Sequence, residues 1–301
     1  MKLLFALVLL IQFAFATTYY VDASATGTAN GTSRTNAWTS LSSIPANVSD
    51  GDTVLVYNGT YTTAMDWATS FSGGTYPYNI SVYLIAMEAA VIHDLDGLSN
   101  SLGTLNVYMR GFKIKNRTDT AFKYYWESPD ANSHGSVIME NCIFDLAWKI
   151  ATLPYAVTLN NCFFVDPTTN VSINKVYHLT MLNVSFVGNF EATTGFVRFQ
   201  PGGTLTAENI VWDATNGTVP FLNTTYPPAS ATITNWLYKN MDITAIPGSH
   251  TNFRSADALA AFSGTFPQIV YTLGSGSPAI GSGTNGADIG FLGNFGAKFG
   301  E

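Results

Sequence analysis

The sequence predicts an all-β fold, a β-solenoid in which short strands stack into parallel sheets. The main observation is a repeat that aligns on asparagine at intervals of 20, 22, 26 and 26 residues. On both sides of each Asn, apolar residues recur at every second position, which is the period of a strand. The chain is 47% hydrophobic and 11% charged, and a period in the twenties with strand signals is typical of a solenoid.

The asparagines are the predicted bends of these units, because Asn accepts the left-handed backbone conformation that a sharp bend needs. In an earlier unit Gly111 takes the same position and meets the same requirement. Apolar positions lie four and two residues before each bend and one and three residues after it, so stacking would bury them in one column. The predicted Asn ladder consists of Asn141, Asn161, Asn183, Asn209 and Asn235.

Cys142 and Cys162 occupy the same position of successive units. Neighbouring strands lie about 4.8 Å apart, and a disulfide tolerates that Cα separation. Two interpretations follow: a pair of buried thiols that fill the core, or a disulfide. An oxidising compartment favours the disulfide.

Residues 1–16 have the features of a signal peptide. Lys2 supplies the positive charge, residues 3–15 are an apolar run, and Ala14-Phe15-Ala16 fits a cleavage site. The apolar run is short of the roughly 18–20 residues that a membrane span needs, and no later segment is long and apolar enough. We therefore expect a secreted protein, extracellular or on a virion surface, whose mature chain begins near Thr17.

The remaining chain is expected to form one domain. Residues 17–52 are predicted to be an N-terminal cap, with a strand at residues 18–21 and an amphipathic segment at residues 37–44 that covers the open end of the coil. Residues 53–245 are the predicted rungs. Residues 246–301, which end in a Gly- and Ser-rich tail, are the predicted loop-built C-terminal cap.

The charge of the chain bears on its partners. A net charge of −7 and a pI near 5.0, without a basic stretch, argue against nucleic acid as a partner. Asn-x-Ser/Thr sites are frequent, which is suggestive of a glycoprotein. They begin at Asn30, Asn47, Asn58, Asn79, Asn116, Asn170, Asn183, Asn216 and Asn223.

Three stretches resemble the secreted, pectate-lyase-like right-handed parallel β-helix superfamily. They are residues 18–62, which include GDTVLVYNGTY, the rungs with their Asn ladder, and GSPAIGSGTNGADIGFLG at residues 276–293. The resemblance implies a single-stranded right-handed parallel β-helix. Its members include polysaccharide lyases, glycoside hydrolases, adhesins and tailspikes, so the fold does not decide the activity. The N-T-D, D-D and G-H-G motifs of polygalacturonase-type enzymes are absent, and no catalytic residue is carried over.

In this superfamily the substrate groove usually runs along a third strand, which precedes the two aligned here. Alternation along that strand predicts an outward row at intervals of 26, 25 and 24 residues. Cations beside an aromatic ring suit an acidic polysaccharide, and in a lyase one base would remove the proton next to the uronate carboxyl. The alternative is an ordinary solvated face. The row is Lys123, Lys149, Asn174 and Arg198, with Tyr125 and Gln200 on the same side.

The carboxylates are weaker candidates for a functional site than the outward row. Asp145 and Asp213 share the position four residues after a ladder Asn, where they can bind Ca²⁺ or cap turns. Glu127 with Asp145 is a possible glycosidase pair, although the sequence does not fix their separation. No zinc, phosphate-loop or serine-nucleophile motif occurs.

These observations lead to one functional hypothesis and one alternative. The first is a secreted β-helix protein that binds a polysaccharide, with an acidic glycan favoured, and that cleaves it if it is a lyase or glycoside hydrolase. The alternative is a non-enzymatic surface protein, such as an adhesin or virion scaffold. The sequence leaves open whether the protein is an enzyme and what its oligomeric state is.

Overall fold

The structure is a computed structural model in which strands dominate. It describes residues 16–63, 65, 80–92, 98–99, 105–115, 124–127, 135–145, 150–151, 155–165, 173–190, 195–215, 217–248, 250–255, 261–263, 270–273 and 275–290. The helical turns found there are short 3₁₀ helices, Leu41–Ser43 and Thr284–Gly286. The predicted all-β fold is confirmed.

The strands follow one another closely along the chain. In chain order they are β1 Thr18–Val21, β2 Thr53–Val56, β3 Gly59–Tyr61, β4 Ile80–Ala86, β5 Ala90–Ile92, β6 Leu98–Ser99, β7 Leu105–Arg110, β8 Lys113–Lys115, β9 Tyr124–Glu127, β10 Ser136–Glu140, β11 Ile143–Asp145, β12 Ile150–Ala151, β13 Ala156–Asn160, β14 Phe163–Val165, β15 Ile173–Gly188, β16 Val197–Ala214, β17 Val219–Pro220, β18 Ser230–Lys239, β19 Met241–Asp242, β20 His250–Ser255, β21 Ala261–Ser263 and β22 Val270–Thr272. Strands β15, β16, β18 and β20 each run through a bend at an asparagine with positive φ.

Parallel pairing joins most of these strands into three sheets that wind as a β-solenoid, whereas β21 and β22 form an antiparallel pair. The first sheet contains β1, β2, β4, β7, β10 and β13, followed by the middle of β15 and β16 and the first part of β18 and β20. The second contains β3, β5, β8, β11 and β14, followed by the last part of β15, β16, β18 and β20. The third contains β6, β9 and β12 and the start of β15 and β16. The right hand of the coil stays a prediction.

The bend between the first and second sheets is made by residues with positive φ. The five asparagines of the ladder have φ between 51° and 57°, and Gly111 has φ 81°. Their amides also join across turns of the coil: Asn161 Nδ2 donates to Asn141 Oδ1 at 2.7 Å, and Asn235 Nδ2 donates to Asn209 Oδ1 at 3.1 Å. Asn252, with φ 51°, extends the ladder by donating to Asn235 Oδ1 at 3.0 Å. The asparagines therefore supply both the backbone conformation and a chain of amide hydrogen bonds.

Apolar side chains fill the interior of the coil in straight rows. In the row three residues after each bend, Phe144 and Phe164 stack at 4.4 Å between ring centroids, and Phe164 and Phe186 stack at 4.7 Å. Trp212 continues this row, with its ring 5.4 Å from that of Phe186. All four side chains are buried. The repeat thus places large rings one above another, as parallel in-register pairing requires.

The outer side of the second sheet is buried as well. One in-register row on that side begins at the exposed Thr60 and is then buried at each of the following positions: Val91, Lys113, Ile143, Phe163, Ser185, Val211 and Leu237. Val211 and Leu237 pack with Ala279 and Ile289 in a small apolar cluster of their own. Residues 275–290 therefore lie beside the coil, along its second sheet.

The two ends of the coil differ from the boundaries that the sequence indicated. At the start, β1 pairs in parallel with β2, so the predicted N-terminal cap includes a strand of the first sheet. Trp38, Leu41 and Ile44, on one face of the amphipathic segment, are buried in the main core. At the other end, β20 pairs with β18, and parallel pairing thus extends past residue 245, where the rungs were expected to stop.

Candidate functional site

The predicted groove lies on the third sheet, and the structure describes it in part. Lys123 and Lys149 lie outside the described residues. Tyr125 is in β9 and Asn174 is in β15, and the structure places them by their strands alone. Arg198 in β16 is half-buried.

Strand pairing gives the register of the third sheet. Tyr124 pairs with Ile150, Ile150 with Ile173, and Ile173 with Val197. Asn174 and Arg198 each follow a paired residue, and they are thus neighbours across two strands. Paired residues of β12 and β15 are 23 positions apart. The predicted outward row joined Lys149 to Asn174 across 25 positions, an interval that differs from this register by two residues.

The chain bulges where the third sheet meets the first. Val176 pairs with Phe199, and the next pair is His178 with Thr204. Four residues of β16, numbers 200–203, therefore face a single residue of β15. Gly202 has φ 83°, and a Cβ at Gly203 would lie 2.8 Å from the Tyr177 carbonyl oxygen. Glycine is thus needed at both positions for the bulge to form.

Aromatic side chains line the corner beside this bulge. The rings of Tyr155 and Tyr177 stack at 5.4 Å with an interplanar angle of 8°. His178 meets both rings edge-on, at 4.9 Å and 4.8 Å, and its Nδ1 lies 2.8 Å from Thr204 Oγ1. Tyr155 is 38% exposed. The corner therefore carries a stacked pair of tyrosines from successive turns, one of which is partly exposed.

Arg198 lies at the same corner and stacks on a tyrosine from the next turn. Its Cζ is 3.7 Å from the centre of the Tyr226 ring, well within the range of a cation–π contact. The Tyr226 backbone is fixed, because its carbonyl accepts from Phe199 N at 3.0 Å and its N–H donates to Asn223 Oδ1 at 3.1 Å. Arg198 Nε is buried and has no hydrogen-bond partner among the residues that the structure describes. Within the described ranges, no carboxylate pairs with Arg198.

We call this surface the corner site. It consists of Tyr155, Tyr177, Arg198, Gln200 and Tyr226. Arg198 and Gln200 were predicted from alternation along the third strand, but the three tyrosines were missed. Tyr155 and Tyr177 each lie six residues before a ladder asparagine, so the same alignment contains the signal for their stack. Tyr226 has no such signal, because its contact depends on the shape of a loop.

The carboxylates proposed to hold Ca²⁺ are far apart. Asp145 pairs with Val165, Val165 with Val187, and Val187 with Asp213. Three strand spacings separate the two acids, about 14 Å, so they cannot share one ion. Lys239 Nζ lies 3.8 Å from Asp213 Oδ1. Among the described residues, no group of three or more His, Cys, Asp or Glu side chains is placed to hold a metal.

One carboxylate on the outer face of the first sheet is held by its neighbours. Tyr108 Oη donates to Glu140 Oε2, Asn160 Nδ2 donates to Glu140 Oε1 at 3.1 Å, and Arg110 Nε lies 3.8 Å from Glu140 Oε2. Burial and the hydrogen bond to this carboxylate raise the pKa of Tyr108 to about 12. Both carboxylate oxygens are engaged, which suits a brace between neighbouring strands better than proton transfer to a ligand.

Cys142 and Cys162 are free thiols in the structure, where the sequence favoured a disulfide. Both are buried in successive turns of the core. Each donates to a backbone carbonyl instead: Cys142 Sγ lies 3.4 Å from Glu140 O, and Cys162 Sγ lies 3.4 Å from Met139 O. Burial, and then the neighbouring Cys142, raise the pKa of the Cys162 thiol well above its usual range. Such a thiol is a poor nucleophile.

Comparisons with known proteins add no relative. No family model matches the sequence, and neither a curated protein nor a solved structure matches the chain. A separate finding concerns the described residues, where no helix has the length and apolar character to cross a membrane.

Proposed function

We propose that this protein is an extracellular β-helix protein that binds an acidic polysaccharide at the corner site. The observation that carries this proposal is Arg198, whose guanidinium carbon lies 3.7 Å from the centre of an exposed tyrosine ring and which has no carboxylate partner among the described residues. A planar guanidinium pairs in a bidentate manner with carboxylate or sulfate groups. Uronate and sulfated sugars carry those groups.

A second arginine shows what the same stack looks like when it is satisfied internally. Arg34 Cζ lies 4.0 Å from the centre of the Tyr57 ring. Its nitrogens also reach two carboxylates, with Nε 2.8 Å from Asp22 Oδ2 and Nη1 3.1 Å from Glu88 Oε1. A ligand carboxylate at Arg198 would play the part that Asp22 and Glu88 play at Arg34.

The tyrosines beside Arg198 supply the other half of a glycan site. Tyr155 and Tyr177 stack on each other, and Tyr155 and Tyr226 are 38% and 40% exposed. Tyrosine offers a large apolar face and a polar edge, which suits the C–H face and the hydroxyl groups of a sugar. Gln200 lies two residues from Arg198 on the outward side of β16, where its amide can bind a hydroxyl.

Binding without cleavage is the favoured form of this function. A lyase needs a base close to the cation that neutralises the uronate. In the part of the chain that the structure describes, no carboxylate pairs with Arg198. His178 is occupied by its contacts with Thr204 and with two tyrosine rings.

Two features of the sequence support the wider setting. The likeness to the pectate-lyase-like right-handed β-helix superfamily favours a polysaccharide ligand. The apolar run at residues 3–15 favours secretion. The alternative of an adhesin or virion scaffold is supported by the rigid coil itself, whose rows of buried rings and asparagine amides continue from turn to turn.

A glycan-binding experiment tests the proposal. The chain from Thr17 to Glu301 would be applied to immobilised polygalacturonate, alginate, chondroitin sulfate and, as neutral polymers, dextran and xylan. We expect binding to at least one acidic polymer and none to the neutral ones. Arg198→Ala should weaken that binding by about 10- to 100-fold, since a hydrogen-bonded charge pair contributes about 1.5–3 kcal/mol. Arg198→Lys should retain part of it, because Lys keeps the charge but lacks the planar fork.

Arg34→Ala is the matched control, since it removes an arginine that also stacks on a tyrosine and leaves the corner site intact. It should lower the melting temperature without changing glycan affinity. Acidic-glycan binding that survives Arg198→Ala unchanged would refute the site. Ultraviolet absorbance of an unsaturated uronate product in the same samples would show that the protein is a lyase.

A further inference from the structure

A buried carboxylate lies at the point where the predicted mature chain begins. Asp52 is 2% exposed, and both of its carboxylate oxygens accept short hydrogen bonds. Oδ2 accepts from Ser49 N at 2.6 Å, and Oδ1 accepts from Thr17 N at 2.6 Å. Thr17 is the first residue after the Ala14-Phe15-Ala16 sequence. The structure thus brings this carboxylate against the backbone nitrogen that cleavage would release.

Asp52 has no side-chain cation beside it in the described part of the chain. The ion pairs found there belong to other acids, namely Asp22, Glu88, Glu140 and Asp213. A buried carboxylate without a cation is costly, even when backbone N–H groups donate to it. The distance to Thr17 N is as short as that of a charge-assisted hydrogen bond.

The position of Thr17 is fixed by the coil. Thr53 N donates to Thr17 O at 2.9 Å, and Tyr83 N donates to Asp52 O at 3.0 Å. Asp52 is thus held between the start of β1 and the next turn of the first sheet. Ala16 and Thr17 are both exposed, so the peptide bond between them lies at the surface of the coil.

We propose that cleavage of the Ala16–Thr17 bond creates an α-ammonium group that forms a partly buried ion pair with Asp52, so that processing stabilises the first turn of the coil. In this step a peptidase of the signal-peptidase class adds water across the bond. Ala16 leaves with a new carboxylate, and Thr17 N takes up protons to become an ammonium. A neutral amide donor to Asp52 is thereby replaced by a positive charge at the same position.

The simpler alternative is that Asp52 only caps the turn at residues 49–52, whatever precedes Thr17. Ser49 N donates to its side chain and Asp52 N donates to Ser49 O at 3.2 Å, as a capped turn requires. If Asp52 only caps the turn, a free amine at Thr17 should not change the stability of the protein. The ion-pair proposal is also independent of glycan binding at the corner site.

The test compares two proteins that differ by one residue. One begins with the free amine of Thr17, and the other begins with the free amine of Ala16, which moves the charge one residue away from Asp52. We expect the protein that begins at Thr17 to melt about 2–5 °C higher at neutral pH. The difference should disappear at alkaline pH, where the α-amino group is neutral. Intact mass of the secreted protein should correspond to Thr17–Glu301.

Asp52→Asn in both proteins completes a double-mutant cycle. Without the carboxylate, the two proteins should melt at the same temperature. Equal melting of the two unsubstituted proteins would overturn the ion pair, as would a difference that persists at alkaline pH. If Asp52→Asn does not fold, the pH dependence of the difference in melting temperature between the two unsubstituted proteins still tests the ion pair. A secreted chain that begins at another residue would overturn the processing site.

Discussion

Among the described residues, Arg34 and Arg198 each stack on a tyrosine ring, and they differ in what surrounds their nitrogens. Arg34 stacks on Tyr57 at 4.0 Å and forms ion pairs with two carboxylates, Asp22 and Glu88. Arg198 stacks on Tyr226 at 3.7 Å, and no carboxylate among the described residues reaches it. The cation–π contact is therefore common to both places, and the anionic partner is not.

The comparison separates a structural arginine from a candidate ligand-binding one. Arg34 holds the N-terminal loop, because its partner Asp22 is 4% exposed and also accepts from Ser24 N at 2.9 Å. Removing that arginine leaves a buried charge behind, whereas removing Arg198 leaves none of the described carboxylates unpaired. Stability should thus depend on the first stack, and affinity for an anion on the second.

The largest expected change in stability comes from Asp22→Asn. The substitution keeps an acceptor for Ser24 but removes the charge that faces Arg34 Nε, and we expect the free energy of unfolding to fall by about 1–3 kcal/mol. Urea denaturation measures it. Asp242→Asn is the control, since Asp242 accepts from Thr244 N at 2.9 Å in a similar turn but has no arginine beside it among the described residues. Equal costs at the two positions would contradict a structural role for the Arg34 stack.

A smaller change in stability is expected at acidic pH, where the Asp22 carboxylate becomes protonated. Burial would raise the pKa of Asp22, but hydrogen bonds from Ser24 and Arg34 outweigh it and lower that pKa below the ordinary value of 3.8. With a lowered pKa in the folded state, the stabilising contribution is complete above the ordinary pKa and is lost as pH falls through the folded pKa. The melting temperature should therefore fall below about pH 4. Asp22→Asn should make that fall shallower, and parallel curves for the two proteins would argue against the assignment.

The smallest expected change in stability comes from giving Arg198 a partner. Gln200→Glu places a carboxylate two residues away on the same side of β16, and the exposed pair should change the free energy of unfolding by only about 0.2–1 kcal/mol. Affinity for an acidic glycan should nevertheless fall by about tenfold or more, because the new carboxylate competes with the ligand and repels it. Gln200→Met is the neutral control. An acidic glycan that binds Gln200→Glu as well as it binds Gln200→Met would show that Arg198 is not its contact.

The fold could be predicted from the sequence to a large extent, because its determinants are local. The asparagine bends occupy the left-handed region at the positions where the alignment placed them. The inward rows follow from a period of two, so Phe144, Phe164 and Phe186 stack as their spacing indicates. The alignment did not include Asn252, because this residue follows Asn235 by 17 residues, a shorter interval than any in the repeat.

The corner site could be predicted only in part. Alternation along β16 placed Arg198 and Gln200 on the outward side. It could not give the register of the third sheet, because the segments between rungs differ in length and β16 inserts four residues opposite Tyr177. The cysteines show a similar limit, since their stacking followed from the repeat but their oxidation state did not.

The sequence by itself determined which residues bend and which face inward, since backbone preference and a two-residue period act within a few residues. Only the tertiary structure decided which distant groups meet. Tyr226 reaches Arg198 from a loop of the next turn, Asp52 meets Thr17 across 35 positions, and residues 275–290 return to cover the second sheet. Those contacts depend on loop lengths and on how successive turns stack, and no local pattern records them.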